Sequence, residues 1–456
     1  MLFSSQIFIL LFLPVTVGLY YVFAKHDRVR IWFLILASLV FYGYWDYRFI
    51  PLLIASILIN YSLSLLYRKI PLKILIIGGI TFNLSLIIFF KYFNFLAENL
   101  VTDYQPWDII LPLGISFFTL QQVSYLVDLH KGRVPRYEFS HYFLYVVVFP
   151  HLIAGPIIRH NELIAQFKLS PLRKGLHERL SRGATLFTLG LAKKVLIADQ
   201  MALIVDPLFS AASNGSLTFA EAWLAALAYS MQIYFDFSGY SEMAIGLGLL
   251  LGLMLPVNFD RPYSATSMRE FWRRWHMTLS RFLRDYLYIP LGGNRFGLTR
   301  QILAVLFTMT ICGLWHGAGW TYVLWGFAHG LAVAVNNVWK KFSVEIPKNI
   351  GWLLTFTFVT FTWVIFRAEN IEVANSVMNS MVGLSGLGFE INAEIKRLWL
   401  LPVALFFSIY GMTFLDFSLN KMKPNKYLAS GLAVLLIYIV LELGKGQLNE
   451  FIYFQF

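Results

Sequence analysis

The sequence predicts an all-α protein that crosses a membrane many times, and three observations carry that prediction. Hydrophobic residues make up 58% of the chain and charged residues 14%, against roughly 25% charged in a soluble domain. Apolar runs recur from the first residues to the last with only short breaks, so no soluble domain can be cut out. The basic surplus, a net charge of +12, lies in short loops rather than in a tail, which suits a membrane orientation signal better than nucleic-acid binding. In lipid each backbone polar group must be satisfied within its own segment, so the runs read as helices of one polytopic domain over residues 1–456.

The first predicted spans are Leu2 to Phe23, Ile31 to Tyr44, Pro51 to Tyr67, Leu72 to Tyr92 and Ile109 to Leu129. The opening segment lacks a basic n-region and a small-residue cleavage site, which predicts a retained first helix. Basic loops at Lys25/Arg28/Arg30, Arg68/Lys69/Lys73 and Lys131/Arg133/Arg136 alternate with neutral or acidic ones at Asp46/Arg48 and Glu98/Asp103/Asp108. Basic loops stay cytoplasmic, which places the N-terminus outside.

Tyr142 to Ile158 breaks the alternation, because Arg159 to Arg182 is basic again; with Pro150 and Gly155-Pro156 inside it, the segment reads as re-entrant and walls a cavity. Gly183 to Val205 then exits, and Trp223 to Met254 returns with an interruption at Asp236-Phe237-Ser238-Gly239. Asn258 to Arg300 is the most charged region and is expected inside. There Ser267-Met268-Arg269-Glu270 reads as a capping box. The helix it opens gathers Phe271, Trp272, Trp275, Leu279, Phe282, Leu283 and Tyr286 opposite Arg273, Arg274, Arg281 and Arg284, as an amphipathic helix on the inner surface does.

Ile302 to Trp315 is short for a span, and Trp320 to Trp339 ends at Lys340-Lys341. Both flanks then lie inside and His316 sits at the top of a hairpin, so residues 258–340 form a core region of amphipathic helix and catalytic hairpin. Ile350 to Phe366, Leu398 to Asp416 and Tyr427 to Leu443 complete the set, with the C-terminus also outside.

An ionisable group at membrane depth is a functional candidate by default, which singles out His316. A neutral imidazole can take the proton of an acceptor hydroxyl attacking an activated acyl group; it can equally hydrogen-bond a carbonyl and hold two helices together. His276, at the edge of the amphipathic arc, is a second catalytic or positioning group or an interfacial packing residue. His329 reads as helix packing, with His151 and His160 as weaker candidates. Cys312, four residues before His316, shares its helical face and is a possible acyl nucleophile or a small inert hydrophobe. As the only cysteine it excludes an internal disulfide and a multi-thiolate metal site, and no metal is expected. Asp236 and Glu242 lie in apolar sequence, where each could bind substrate, polarise a histidine or pair with an arginine. Asp236, Arg273, Arg274, Trp315 and Asn294 are the candidate substrate-binding residues, the arginines steering an anionic donor or simply meeting acidic lipid.

Three stretches together resemble the membrane-bound O-acyltransferase (MBOAT) family, and within it the bacterial alginate-acetylating branch. They are Gln232 to Ser241, Asn258 through Phe271-Trp272-Arg273-Arg274-Trp275-His276 to Pro290-Leu291-Gly292-Gly293-Asn294-Arg295, and Gly313-Leu314-Trp315-His316-Gly317. Phe149-Pro150 with Ala154 to Ile157, and Phe361 to Ala368, are similar to the same family. The resemblance implies a bundle of about 11–13 spanning or re-entrant helices around a central funnel or channel, with His316 as the catalytic histidine and His276 as the earlier, second one.

It further implies a bacterial inner-membrane enzyme that takes acetyl from cytoplasmic acetyl-CoA, with no permanently bound cofactor, toward an extracytoplasmic polysaccharide with the help of a periplasmic SGNH-type partner. D-alanyl transfer from a carrier protein to a cell-wall polymer is the alternative within acyl transfer. A lipid or sugar transporter is the alternative from another class, and it would call for paired broken helices in inverted repeats, which the sequence lacks.

Overall fold

In the computed structural model, which describes residues 1–215, 217–342, 344–388, 397–445 and 451–452, every regular element among the described residues is helical. A π-helical turn at Phe8–Phe12 leads into α1 (Leu13–Val22), α2 (Asp27–Asp46), α3 (Ile50–Lys69) and α4 (Lys73–Ile87), the last prolonged through a second π turn at Ile88–Tyr92. Next come α5 (Ile115–His130), α6 (Phe139–Val147), α7 (Leu176–Ala192), a π turn at Lys193–Ala198, α8 (Asp199–Asn214) and α9 (Phe219–Leu250). The charged middle folds as α10 (Met268–Arg274) and α11 (Met277–Leu283), with a π turn at Arg284–Tyr288. The chain continues with α12 (Gly297–His316), α13 (Trp320–Trp339), α14 (Lys348–Arg367), α15 (Ile371–Met381), α16 (Leu400–Tyr410) and α17 (Lys426–Leu443), with a further π turn at Phe417–Lys421.

Six helical runs are long and apolar enough to cross a membrane: Asp27–Lys69, Lys73–Leu100, Leu176–Ser213, Gly297–His316, Lys348–Arg367 and Lys426–Leu443. The pair Leu400–Tyr410 and Phe414–Lys421, bent by 60°, makes a seventh if it is one broken span. This is a multi-pass membrane protein, and shorter or more polar helices such as α5 and α9 supply its remaining segments. Residues 142–158, expected to be re-entrant, run from α6 through a helical turn at Phe149–Leu152 into irregular backbone, and all of them are buried. Protein enclosure of that kind is what irregular backbone at membrane depth requires.

Three local expectations are corrected. The hairpin's first arm is not short: α12 begins at Gly297, because Thr299, Arg300 and Gln301 form its polar first turn, and its 20 residues suffice for a span. No interruption falls at Asp236 to Gly239; α9 runs unbroken for 32 residues, its buried aspartate being charge-paired within the protein. The amphipathic helix is broken at His276, whose φ of 41° is left-handed and separates α10 from α11. Its start behaves as read, with the Ser267 side chain accepting from the Glu270 N–H, although the Glu270 carboxylate turns to the Thr266 N–H rather than completing the box.

The chain divides into two compact units, one from Met1–Leu191, Tyr240–Val257 and the segment after Phe414, the other from Ala192–Gly239 and Asn258–Thr413. His316, His276, Asp236, Cys312 and the arginine cluster all belong to the second. In that unit α12 and α13 form a hairpin whose backbones meet at glycines. A Cβ on Gly313 would collide with the Tyr322 carbonyl oxygen, one on Gly326 with the Met309 carbonyl oxygen, and one on Gly330 would come within 3.2 Å of the Leu306 Cα. Helices in lipid associate by such close packing, since burial from water contributes little there. Gly326→Val should therefore force the hairpin apart and destabilise the protein by about 1–3 kcal/mol, read as a lower thermal midpoint in detergent; an unchanged midpoint would show that the crossing is loose.

Candidate functional site

His316 is the last residue of α12 and only 1% exposed. Gly317 leaves the helix in extended backbone, so the imidazole caps the hairpin's first arm. Around it stand three aromatic rings, with centroids 4.9 Å away at Trp315, 5.3 Å at Trp325 and 5.3 Å at Phe366. Such a box keeps bulk water from the ring, so a proton leaving a reactant there goes to the imidazole rather than to solvent.

His276 is fully buried at the corner between α10 and α11. Its Nδ1 lies 3.1 Å from Asn258 Oδ1, an oxygen that also accepts from Thr278 Oγ1 at 2.8 Å and Thr278 N at 3.2 Å. An acceptor shared in this way assigns the ring hydrogen to Nδ1 and makes Nε2 the basic nitrogen. The left-handed backbone costs energy for a non-glycine residue, and strain of this kind gathers at functional sites. Phe237 meets the ring edge-on at 4.7 Å, and burial pushes the imidazole pKa down to about 3, so it is neutral at physiological pH.

The two histidines share a neighbour. Trp315 lies 6.1 Å from the His276 ring and 4.9 Å from the His316 ring, centroid to centroid, so the imidazoles are no farther apart than the sum of those distances. His329 is different in kind: its Nδ1 accepts from Trp272 Nε1 at 3.3 Å, and its Nε2 donates to Thr362 Oγ1 at 2.9 Å, whose own hydrogen goes to the Val359 carbonyl. With both nitrogens matched, it is the packing histidine the sequence suggested.

Asp236 carries a partner that sequence reasoning missed. Lys194 Nζ lies 2.8 Å from Asp236 Oδ1 and 2.7 Å from Asp199 Oδ1, and all three side chains are largely shielded. The signal was present, since Lys193, Lys194 and Asp199 interrupt an apolar run, but the pairing depends on how α9 packs. Asn258, which orients His276, was likewise missed.

A cavity of about 240 Å³ opens beside α10 to α13. Arg269, Arg273 and Arg284 line it together with Trp272, Thr308 and Met309. No hydrogen bond or ion pair engages the guanidinium of Arg269 or Arg273 among the described residues, whereas Arg274 is committed to Glu270 at 2.7 Å and Ser264 at 3.0 Å. Arg273 thus stands where an anionic ligand would meet it, and Arg274 is a structural arginine. Asn294 is exposed on its turn and is not among the lining residues. Thr308, Cys312 and His316 succeed one another at four-residue steps on one face of α12, so the cavity wall leads along roughly 12 Å of helix to the histidine. Cys312, fully buried, lies on that path. Among the described residues no three or more His, Cys, Asp or Glu gather as metal ligands.

Comparison with known proteins agrees with this arrangement. Residues 114–377 match the sequence profile of MBOAT, the membrane-bound O-acyltransferase family. The peptidoglycan O-acetyltransferase of Helicobacter pylori is 42% identical over 427 residues, 85% of this chain and 81% of its own length. The probable alginate O-acetylase AlgI of Pseudomonas aeruginosa is 42% identical over 397 residues, 84% of this chain and 75% of its own. The teichoic acid D-alanyltransferase of Streptococcus thermophilus is 28% identical over 280 residues, 56% of this chain and 68% of its own.

The geometry makes two outcomes measurable. Lys194→Met strands two shielded carboxylates and should cost about 3–5 kcal/mol, lowering the thermal midpoint in detergent, whereas adding Asp236→Asn and Asp199→Asn should recover most of it; equal midpoints for all three proteins would mean the pair is idle. For His276 the folded pKa is depressed, to about 3 against 6.5 unfolded. Above pH 6.5 neither state holds the proton, and as pH falls toward 3 the unfolded chain binds it first, so stability drops through that window. His276→Asn, a side chain that also accepts positive φ, should flatten this acid slope of the thermal midpoint.

Proposed function

Because the chain belongs to the membrane-bound O-acyltransferase family, and is therefore a multi-pass membrane acyltransferase, we propose that it transfers acetyl groups from acetyl-CoA to an extracytoplasmic polysaccharide. Transfer is direct or through a periplasmic SGNH-type partner, and the protein lies in the bacterial inner membrane with both termini outside. The observation that carries the reading is the single face of α12 that joins the arginine-lined cavity at Thr308 to His316. The donor's phosphates meet Arg269 and Arg273, and its acyl end extends along that face to the aromatic box.

There His316 acts as general base. It takes the proton from the acceptor hydroxyl as the oxygen attacks the thioester carbonyl; the C–S bond then breaks and the proton passes to the departing thiolate. His276, held by Asn258, orients the acceptor or shares the proton. Cys312 stays a path-lining residue, since a neutral base beside the acceptor makes a covalent relay unnecessary. Acetyl rather than D-alanyl transfer is favoured because the two O-acetylating relatives are 42% identical over most of the chain, against 28% over 56% for the D-alanyl one.

The test is transfer of radiolabel from acetyl-CoA to surface glycan in proteoliposomes. His316→Ala should lower the rate by about 10²–10⁴-fold at matched protein level with donor binding intact. Arg269→Gln and Arg273→Gln should each raise the donor KM roughly tenfold with kcat held. Wild-type transfer by His316→Ala would overturn the base assignment, and a labelled D-alanyl carrier outcompeting acetyl-CoA would overturn the donor.

A further inference from the structure

The last span, α17, is the most lightly packed of the candidate membrane helices: 11% of its apolar window is buried, against 28% for α12 and 44% for α14. Between it and α7, in the first unit, runs a groove of about 330 Å³. Ser181, Thr185 and Thr188 line one wall, and Leu428, Leu432 and Leu436 the other. The leucines span eight residues, roughly 12 Å of helix, so that volume leaves a mean cross-section on the order of 30 Å². An α-helix about 10–12 Å across does not fit such a slot, whereas one extended hydrocarbon chain does. The Thr185 hydroxyl is already given to the Ser181 carbonyl at 2.8 Å, so that wall presents a matched rather than a hungry surface.

The mouth of the groove has the opposite character. Pro424 and Asn425 edge it, and Lys421, Lys423 and Lys426 stand exposed beside them, with no ion pair among the described residues. Asn425 caps α17, accepting from the Leu428 N–H at 2.9 Å, so the positive end of the helix adds to the same field. An apolar slot with a cationic rim matches an amphiphile with an anionic head.

We propose that the α7/α17 groove holds one acyl chain of an anionic membrane phospholipid, its phosphate lying against Lys423 and Lys426. The lipid then supplies packing that α17 lacks from protein. This site is independent of the acyl-transfer chemistry, and its test does not use activity.

The experiment reconstitutes the full chain in nanodiscs of phosphatidylcholine with or without phosphatidylglycerol and counts retained lipid by native mass spectrometry after mild delipidation. Wild type should keep one phosphatidylglycerol. Lys423→Gln with Lys426→Gln should reduce its preference over phosphatidylcholine by about 30-fold, and Ala429→Phe with Ala433→Phe should abolish retention. A photoreactive side chain at position 433 should label phospholipid, and this arm decides the matter if the filled variant fails to fold. Equal retention of both lipids by wild type, retention undiminished in a folded filled variant, or a protein adduct at 433 would each overturn the proposal.

Discussion

The approach of α12 to α13 across Gly313, Gly326 and Gly330 is the constraint on which the site depends. Backbone contact at that crossing leaves no room for side chains between the two helices, so the relative rotation of the hairpin arms is set within narrow limits. That rotation places Trp325 edge-on against His316 and brings His329 onto the same ring, with centroids 4.7 Å apart. Trp325 in turn stacks on Trp363 of α14 at 5.4 Å, and Trp363 reaches Trp275 beside His276 at 5.0 Å. One chain of aromatic contacts thus runs from the hairpin to the corner between α10 and α11. A shift at the glycines would propagate along it, because packed aromatic surfaces repack in steps rather than deform smoothly.

Within this apolar setting, polar groups are handled in two ways. Lys194, Asp199 and Asp236 remain together as ions, which offsets part of the cost of removing each from water. The histidines avoid that cost by neutrality. For His329 the neutral ring is used up by a donor on one side and an acceptor on the other, giving rigidity and no chemistry. At His276 the Asn258 contact fixes one nitrogen as the donor and thereby sets the basicity of the other. The same residue type is structural or reactive according to how the protein engages its two nitrogens.

Much of this was legible in the sequence, and the part that was not has a physical cause. Composition and basic loops suffice for the fold class, because a bilayer admits so few backbone solutions. His316 stood out as an ionisable residue set among glycines between two apolar runs, and the structure places it at the hairpin tip. The break at His276 was hidden because histidine carries no marker for positive φ; a continuous amphipathic period runs straight across it. The opposite error arose at Asp236, where a charge and a nearby glycine looked like an interruption. Lys194 neutralises that charge from a distant point in the chain, so the helix has no reason to stop. Asn258 and the division between Arg273, exposed in a cavity, and Arg274, tied to Glu270, are likewise properties of tertiary packing that adjacent residues in one sequence do not reveal.

The π turn at Lys193–Ala198 governs how this chain tolerates insertions and deletions. A π turn accommodates one residue more than the α-helix it interrupts, and each residue added or removed rotates the downstream helix by about 100°. Deleting a single codon there would let α7 and α8 fuse into one regular helix with no loss of length or hydrophobicity. Yet the face bearing Asp199 would turn away from that bearing Lys194. The buried charges would separate through a lesion that no substitution scan samples, so ungapped alignment across this point would pair residues that face opposite ways.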